Sequence, residues 1–348
     1  AQASDVNLEE MNSYTRSNKS SKNRLDSKTF SKEIVKINER VDNIESKFNE
    51  FEAGGFSDTT VLDGKAIFDI GSVDTDDDTY DGTTQFMYTY TLNLNTSFSG
   101  DDNLYTRIKT GNHTSWSKTK SVYNTYLSSG NGNGDILEVD KLWYTTPVGD
   151  SNHTVTFGPK IENYYMHATT PSIYQPVLKS FTLGGNAAGY GASTSPGVGW
   201  AYTADNGFAM SSNITSKNPV FTDEAAQSWA TQIGYTQPNY SVSALVNMKY
   251  NGWTDSYFMT TDGKARSGDG NSTNVGLRAW WRPTDAETAV PSISVGYDTS
   301  ETDASSNSNT TAYFVGLNWT DVINADDKIG LALGQPQKVE GETIAVSY

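Results

Sequence analysis

Few side chains in this chain could do covalent or metal chemistry, and they are scattered. His113, His153 and His167 are its three imidazoles, and it contains no Cys. None has a second ligand or a nucleophile at a spacing that makes a catalytic or metal pair, so exposed loop histidines are expected. The segment DTDDDTYDG places Asp74, Asp76 and Asp78 at the first, third and fifth positions of a calcium loop. Thr79 stands where such a loop needs glycine for its bend, and Gln85 where a bidentate glutamate closes the shell. With Asp77 and Asp81 these carboxylates are expected to form a solvated acidic apron that concentrates cations. The glycine-rich LGGNAAGYGAS, Leu183 to Ser193, belongs to no strand–helix unit and lacks the lysine of a phosphate loop, so no nucleotide is expected. The residues point to no enzyme, no metal and no cofactor.

The cations are more ordered. Arg107, Lys109, Lys160, Lys249, Arg278 and Arg282 all fall on the polar side of segments that alternate in polarity. In 240–250, Tyr240, Val242, Ala244, Val246 and Met248 share one face, while Ser241, Ser243, Asn247 and Lys249 share the other. In 85–98, Phe86, Tyr88, Tyr90, Leu92, Leu94 and Phe98 oppose Thr89, Thr91, Asn93, Asn95 and Ser97. Successive side chains of a strand point to opposite faces, so each segment is a strand with one greasy and one wet side. The greasy side could meet a protein core or lipid. Charge removes one class of partner: a net charge of −16 is wrong for nucleic acid, whose phosphates need clustered Lys and Arg.

The elements that carry these faces decide between core and lipid. Mean hydropathy is −0.57 and no run nears the roughly eighteen apolar residues of a spanning helix, but a membrane barrel needs none. Fourteen strands are expected between residues 60 and 348. Short connections alternate with long ones at 72–83, 112–135, 162–195, 215–226, 251–271 and 299–310. That regularity puts alternate turns at one end of an up-and-down sheet, as in outer-membrane barrels, whereas a sandwich scatters its long crossings. The last outward residues of alternate strands are Phe98, Tyr144, Tyr202, Tyr235, Trp281, Trp319 and Tyr348, all aromatic. Rings with a polar edge favour the headgroup level of a bilayer. The greasy faces therefore look at lipid and the polar faces enclose water, which makes the six cations above pore-lining. The long segment 162–195 is expected either to fold inward through Tyr174 to Phe181, with Lys179 at a constriction, or to serve as an external lid or oligomer contact. Basic wall residues would favour anions and the acidic mouth would favour cations.

Ahead of the sheet, 1–29 is polar and read as a flexible segment. Phe30, Ile34, Ile37, Val41, Ile44, Phe48 and Phe51 then repeat at alternating steps of four and three, the period of a left-handed coiled coil. Ile at both core positions leans towards three strands or more. A coiled-coil helix over 30–53 is therefore expected as a trimerisation stalk, followed by a barrel over 57–348.

The stretches VDNIESKFNEFEAGGFSDTTVLDGKAIFDIG, LNTSFSGDDNLYTRIKTGN, DKLWYTTPVGDSNHTVTFGP and YFVGLNWTDVINADDKIGLALGQPQ resemble porins of the cyanobacterial outer membrane, an iron-uptake group related to carbohydrate-selective porins. The resemblance implies a homotrimer of sixteen-stranded transmembrane barrels, passing inorganic ions, with iron among the candidates, and small hydrophilic solutes. It places the N-terminal segment in the periplasm. Such porins normally carry an S-layer-homology domain that grips peptidoglycan, for which Met11 to Phe30 leaves no room, so no cell-wall grip is expected of these residues. Fourteen strands against sixteen implies either a missing final hairpin or a true end at Tyr348; the missing hairpin is favoured, because an unclosed sheet would present bare edge groups to lipid. The competing readings are a structural tether with a plugged barrel and a soluble trimeric adhesin.

Overall fold

The computed structural model describes residues 59–347, other than 75–81, 118–124, 185–186, 191–193, 218, 254–269, 285–289, 304–308, 325–326 and 339–344. The expected flexible segment 1–29, the coiled coil over 30–53, Tyr348, and Asp76, Asp77, Asp78 and Asp81 lie outside the described residues. The chain divides into two units, Ala1–Asp58 and Thr59–Tyr348, and the second holds every described strand.

The strands are β1 (Thr60–Gly71), β2 (Gln85–Thr96), β3 (Asn103–Gly111), β4 (Glu138–Val148), β5 (Asp150–Ile161), β6 (Ser195–Thr203), β7 (Phe208–Ser216), β8 (Gln227–Gln237), β9 (Tyr240–Tyr250), β10 (Ser272–Trp281), β11 (Ser292–Thr302), β12 (Thr310–Thr320), β13 (Lys328–Lys338) and β14 (Ala345–Ser347). They form one fourteen-stranded sheet in sequence order, each strand antiparallel to the next. Up-and-down order without a crossover is the simplest topology for hairpins in series, and a Greek-key sandwich is ruled out. Among the described residues no ladder joins β1 to β14.

Burial is inverted relative to a water-soluble sheet. In β10, Leu277 is 51% exposed and its neighbour Arg278 only 3%. Trp229, Ile233, Val242, Val246, Val275 and Leu331 are exposed, whereas Ser228, Gln232, Ser241, Asn247, Asn274 and Ser294 are buried. Leaving such side chains in water would forgo roughly 1.5–3 kcal/mol each of apolar burial, so the outward face is suited to hydrocarbon.

Turns at one end are tight and self-satisfied. In 97–102, the Asp102 carboxylate accepts from Ser97 Oγ, the Phe98 and Ser99 amides, Ser99 Oγ and Tyr144 Oη. Those donors, the Ser99 hydroxyl foremost, hold its carboxyl well below the usual range. The aromatic ends touch across neighbouring strands: Tyr144 on Phe157 at 5.7 Å and Tyr202 on Phe208 at 6.4 Å. The expected alternation of short and long connections blurs late in the sheet. β11 continues to Thr302, into the region expected as loop from 299, because Ser300 remains in register with both neighbours and its hydroxyl binds Asn274.

Candidate functional site

The polar face of the sheet divides into a covered part and an open part. The segment between β5 and β6 lies across the polar faces of β7 to β13. Gln232 of β8 binds Thr169 as a strand partner would, accepting from its amide at 2.8 Å and donating to its carbonyl at 2.9 Å. Trp280 Nε1 donates to the Thr170 carbonyl. Ser294 Oγ accepts from the Ile173 and Tyr174 amides, and Asn318 Oδ1 from that of Gln175. On the return, Arg278 Nε donates to the Leu183 carbonyl at 3.0 Å and Asn247 Nδ2 to that of Gly189 at 2.9 Å. Wall side chains thus satisfy backbone groups of a segment that has no ladder of its own.

Packing follows the same lines. Tyr174 and Phe181 bury against Phe314 of β12 and Ala332 of β13. The wall makes room with glycine: a Cβ at Gly316 would stand 2.6 Å from Tyr174, and one at Gly234 2.5 Å from Thr169. The segment between β3 and β4 covers part of β1 and β2. His113 Nε2 lies 2.9 Å from Asp69, Ser129 Oγ donates to the same carboxylate, and Ser117 Oγ donates to Met87. The two covering segments meet where the Ser128 amide donates to the Val177 carbonyl and the Lys179 amide to that of Tyr126.

The polar face of β1 to β3 stays exposed or half-buried at Asp63, Lys65, Asn93, Asn95, Tyr105, Arg107 and Lys109. Arg107 pairs with Asp140 and donates to Tyr165 Oη at 3.1 Å. Asp140 reaches it through a bulge: the β3–β4 register steps from Arg107↔Lys141 to Ile108↔Val139, so Asp140 is the extra residue. Lys141, buried, pairs with Glu162 at 2.8 Å and donates to Thr194. Tyr105, Trp143 and Tyr165 stack in series, with centroids 4.3 and 4.8 Å apart. Lys179 closes this group from the covering segment, its ammonium 5.6 Å from the Tyr126 ring centre. Burial holds that ammonium below the usual lysine range; Glu162 and Asp140 oppose the depression, while Arg107 and Lys141 deepen it.

Of the seven cations singled out by sequence, Arg107, Lys109 and Lys179 come together here. Arg278 and Lys249 are buried instead of facing solvent; Arg278 pairs with Asp298 at 2.9 Å beneath the Tyr190 ring. Arg282 lies past the end of β10, donating to the Pro238 carbonyl. A second bulge, between Gly158 and Ile161, buries Ile161 with Trp143 and leaves its neighbour Lys160 exposed, donating to the Val139 carbonyl. Asp74 of the acidic apron sits beside the end of β1, and the other four carboxylates are outside the described residues. The histidines depart from expectation. His113 is 1% exposed and His167 packs on Tyr190, while His153 stacks on Trp200 within the outward aromatic band. Sequence reading missed Asp140, Lys141, Glu162 and Tyr165. Lys141 and Trp143 carry the two-residue alternation that could have found them; the bulge that turns Asp140 inward leaves no such mark.

Comparison with known proteins agrees with this architecture. The chain is 30% identical over 168 residues to an uncharacterized protein of Nostoc sp. (strain PCC 7120), covering 46% of this chain and 28% of that one. It is 30% identical over 188 residues to an uncharacterized protein of Synechocystis sp. (strain PCC 6803), covering 49% and 34%. The matched segments therefore span about a third of those relatives. The high-pH structure of Pseudomonas putida OprB superposes with a TM-score of 0.53 at 13% identity, over 86% of this chain and 77% of that one, which shows a shared fold. Residues 27–347 match the model of the carbohydrate-selective porin, OprB family, and the chain belongs to that family.

Proposed function

We propose that this protein is an outer-membrane porin, a passive diffusion channel for inorganic ions and small hydrophilic solutes. One observation carries the reading: the sheet buries its polar side chains and exposes its apolar ones, while along β1 to β3 the polar face remains open beside the covering segments. Water and solutes would pass there, beside Arg107 and Lys109 on the wall and Lys179 on the connection. Family membership supports both the channel and its location. Assembly as a homotrimer, an N-terminal segment in the periplasm, and iron among the transported ions are the finer parts of the proposal and rest on the resemblance noted in the sequence.

The rival reading, a tether with a plugged barrel, draws on how much of the polar face the 162–194 segment covers. Recording from planar bilayers separates the two. The channel gives discrete conductance steps in symmetric salt; a preparation that inserts and gives no steps leaves the tether standing.

A further inference from the structure

The two covering segments are fastened to each other as well as to the wall. The Ser128 amide donates to the Val177 carbonyl and the Lys179 amide to the Tyr126 carbonyl, both at 2.7 Å. Leu127 and Leu178 are thereby an antiparallel pair of the non-hydrogen-bonded kind, whose Cα atoms stand about 4.5 Å apart. Ser128 Oγ adds a bond of 2.6 Å to the Pro176 carbonyl. The walls begin one residue further on. Ser129 donates through Oγ to Asp69 of β1 at 2.9 Å and accepts at its carbonyl from Thr89 Oγ of β2 at 2.7 Å. The Gln175 amide donates to Asn318 of β12 at 3.1 Å, and its side-chain oxygen accepts from Lys328 of β13 at 2.9 Å.

Ser129, Ser128, Pro176 and Gln175 thus carry a continuous path from β1 to β12. Four residues reach at most about 14 Å. Even with side chains and hydrogen bonds at its joints, the path stays well short of the roughly 50 Å between the first and twelfth strands of a flat sheet. The sheet therefore curls, and the path crosses the space in front of its polar face. Its fastening is uneven. One end packs Tyr174 and Phe181 on Phe314 and Ala332, and the other holds His113, 1% exposed, against Asp69 at 2.9 Å. The junction rests on bonds between neutral groups and on the Lys179 ammonium over the Tyr126 ring. Bonds between neutral groups are nearly matched by bonds to water, so a joint in a wet passage yields before buried anchors do.

We propose that the two connections form a clasp across the passage, and that parting of the Leu127–Leu178 pair is its gate. Joined, the pair keeps the passage narrow; parted, it widens the passage while each half stays on its own wall. A parted state populated at on the order of 0.1–10% gives brief excursions to a wider level. The clasp stands on these contacts, and its effect on current rests on the channel reading.

The chain has no Cys, so the full-length Leu127→Cys/Leu178→Cys variant carries the test. A non-hydrogen-bonded pair lies within disulfide reach, and mild oxidation is expected to join the two thiols in the folded, detergent-solubilised chain. Thiols that stay free after oxidation overturn the junction whatever the channel does. In planar bilayers in symmetric potassium chloride, the wild type is expected to show a main conductance level with brief excursions at least 1.5-fold higher. Oxidation of the double variant is expected to abolish the excursions, and dithiothreitol to restore them. Ser128→Pro, which removes an amide donor and a hydroxyl from the junction, is expected to occupy the higher level at least tenfold more. Wild-type records with a single level, or oxidised and reduced variants with the same levels, overturn the gate and leave the channel standing. Absence of steps in the wild type contradicts the channel, and the thiol assay then decides the clasp by itself.

Discussion

Arg278 shows how a single residue changes role once its surroundings are known. Its position on the polar side of an alternating strand suggested a cation facing water, yet both it and Asp298 are only 1% exposed at the side chain. Removing one partner of such a pair leaves a bare buried charge, at a cost of about 3–5 kcal/mol, whereas replacing both by apolar groups can be near neutral. Arg278→Met is therefore expected to lower the denaturant midpoint sharply, and Arg278→Met with Asp298→Leu to recover most of it. Equal losses in the two would contradict a coupled pair. His167 makes a second residue-level prediction. Burial depresses its pKa to about 3, Asn213 Nδ2 donates to its Nδ1, and its Nε2 has no partner among the described residues. The docked connection thus favours neutral His167. Docking is complete above the free histidine value of about 6.5 and weakens by about 1.4 kcal/mol per unit as pH falls from there towards 3. Hydrogen exchange at the Thr169, Tyr174 and Gln175 amides, corrected for intrinsic pH dependence, is expected to accelerate in acid in the wild type and not in His167→Phe.

At the scale of elements, the 162–194 connection organises the polar face. Its length alone marked it as a segment with a function; the wall side chains that receive it come from β7 to β12, 43 to 143 residues away in sequence, and nothing local announces those partners. The strands themselves were legible because period-two polarity is a local property, and each of the fourteen described strands overlaps an expected one, though β4, β5 and β11 extend beyond their expected ends. Gly316 illustrates what local pattern cannot show: a glycine within a strand reads as a weakness, and here it is the seat of the Tyr174 ring. Gly316→Val is expected to destabilise the folded chain by roughly 1–3 kcal/mol through overpacking and to raise current noise by dislodging the connection. A variant as stable and as quiet as wild type would contradict that seat. Excising 171–183 is expected to raise single-channel conductance; an unchanged value would move the narrowing elsewhere.

For the whole molecule, the decisive property is which face meets which solvent. A soluble trimeric adhesin would bury Leu277 and expose Arg278, and the reverse is found. The outward band of Val, Leu, Ile and aromatic residues was legible in the sequence as one face of each strand, though only the sheet order shows that those faces are contiguous from β1 to β13. A charge placed there should be costly: Leu277→Lys is expected to lose about 2–4 kcal/mol of stability in a bilayer if it sits near the midplane. Because the chain has no Cys, single cysteines can map both faces of one strand without background. Along β3 in lipid vesicles, Tyr105→Cys, Arg107→Cys and Lys109→Cys should react with a membrane-impermeant thiol reagent. Leu104→Cys, Thr106→Cys and Ile108→Cys should resist it, and probes attached to them should be quenched by lipid-borne quenchers. Uniform reactivity along β3, or the opposite alternation, would contradict a polar face enclosing water and an apolar face in lipid.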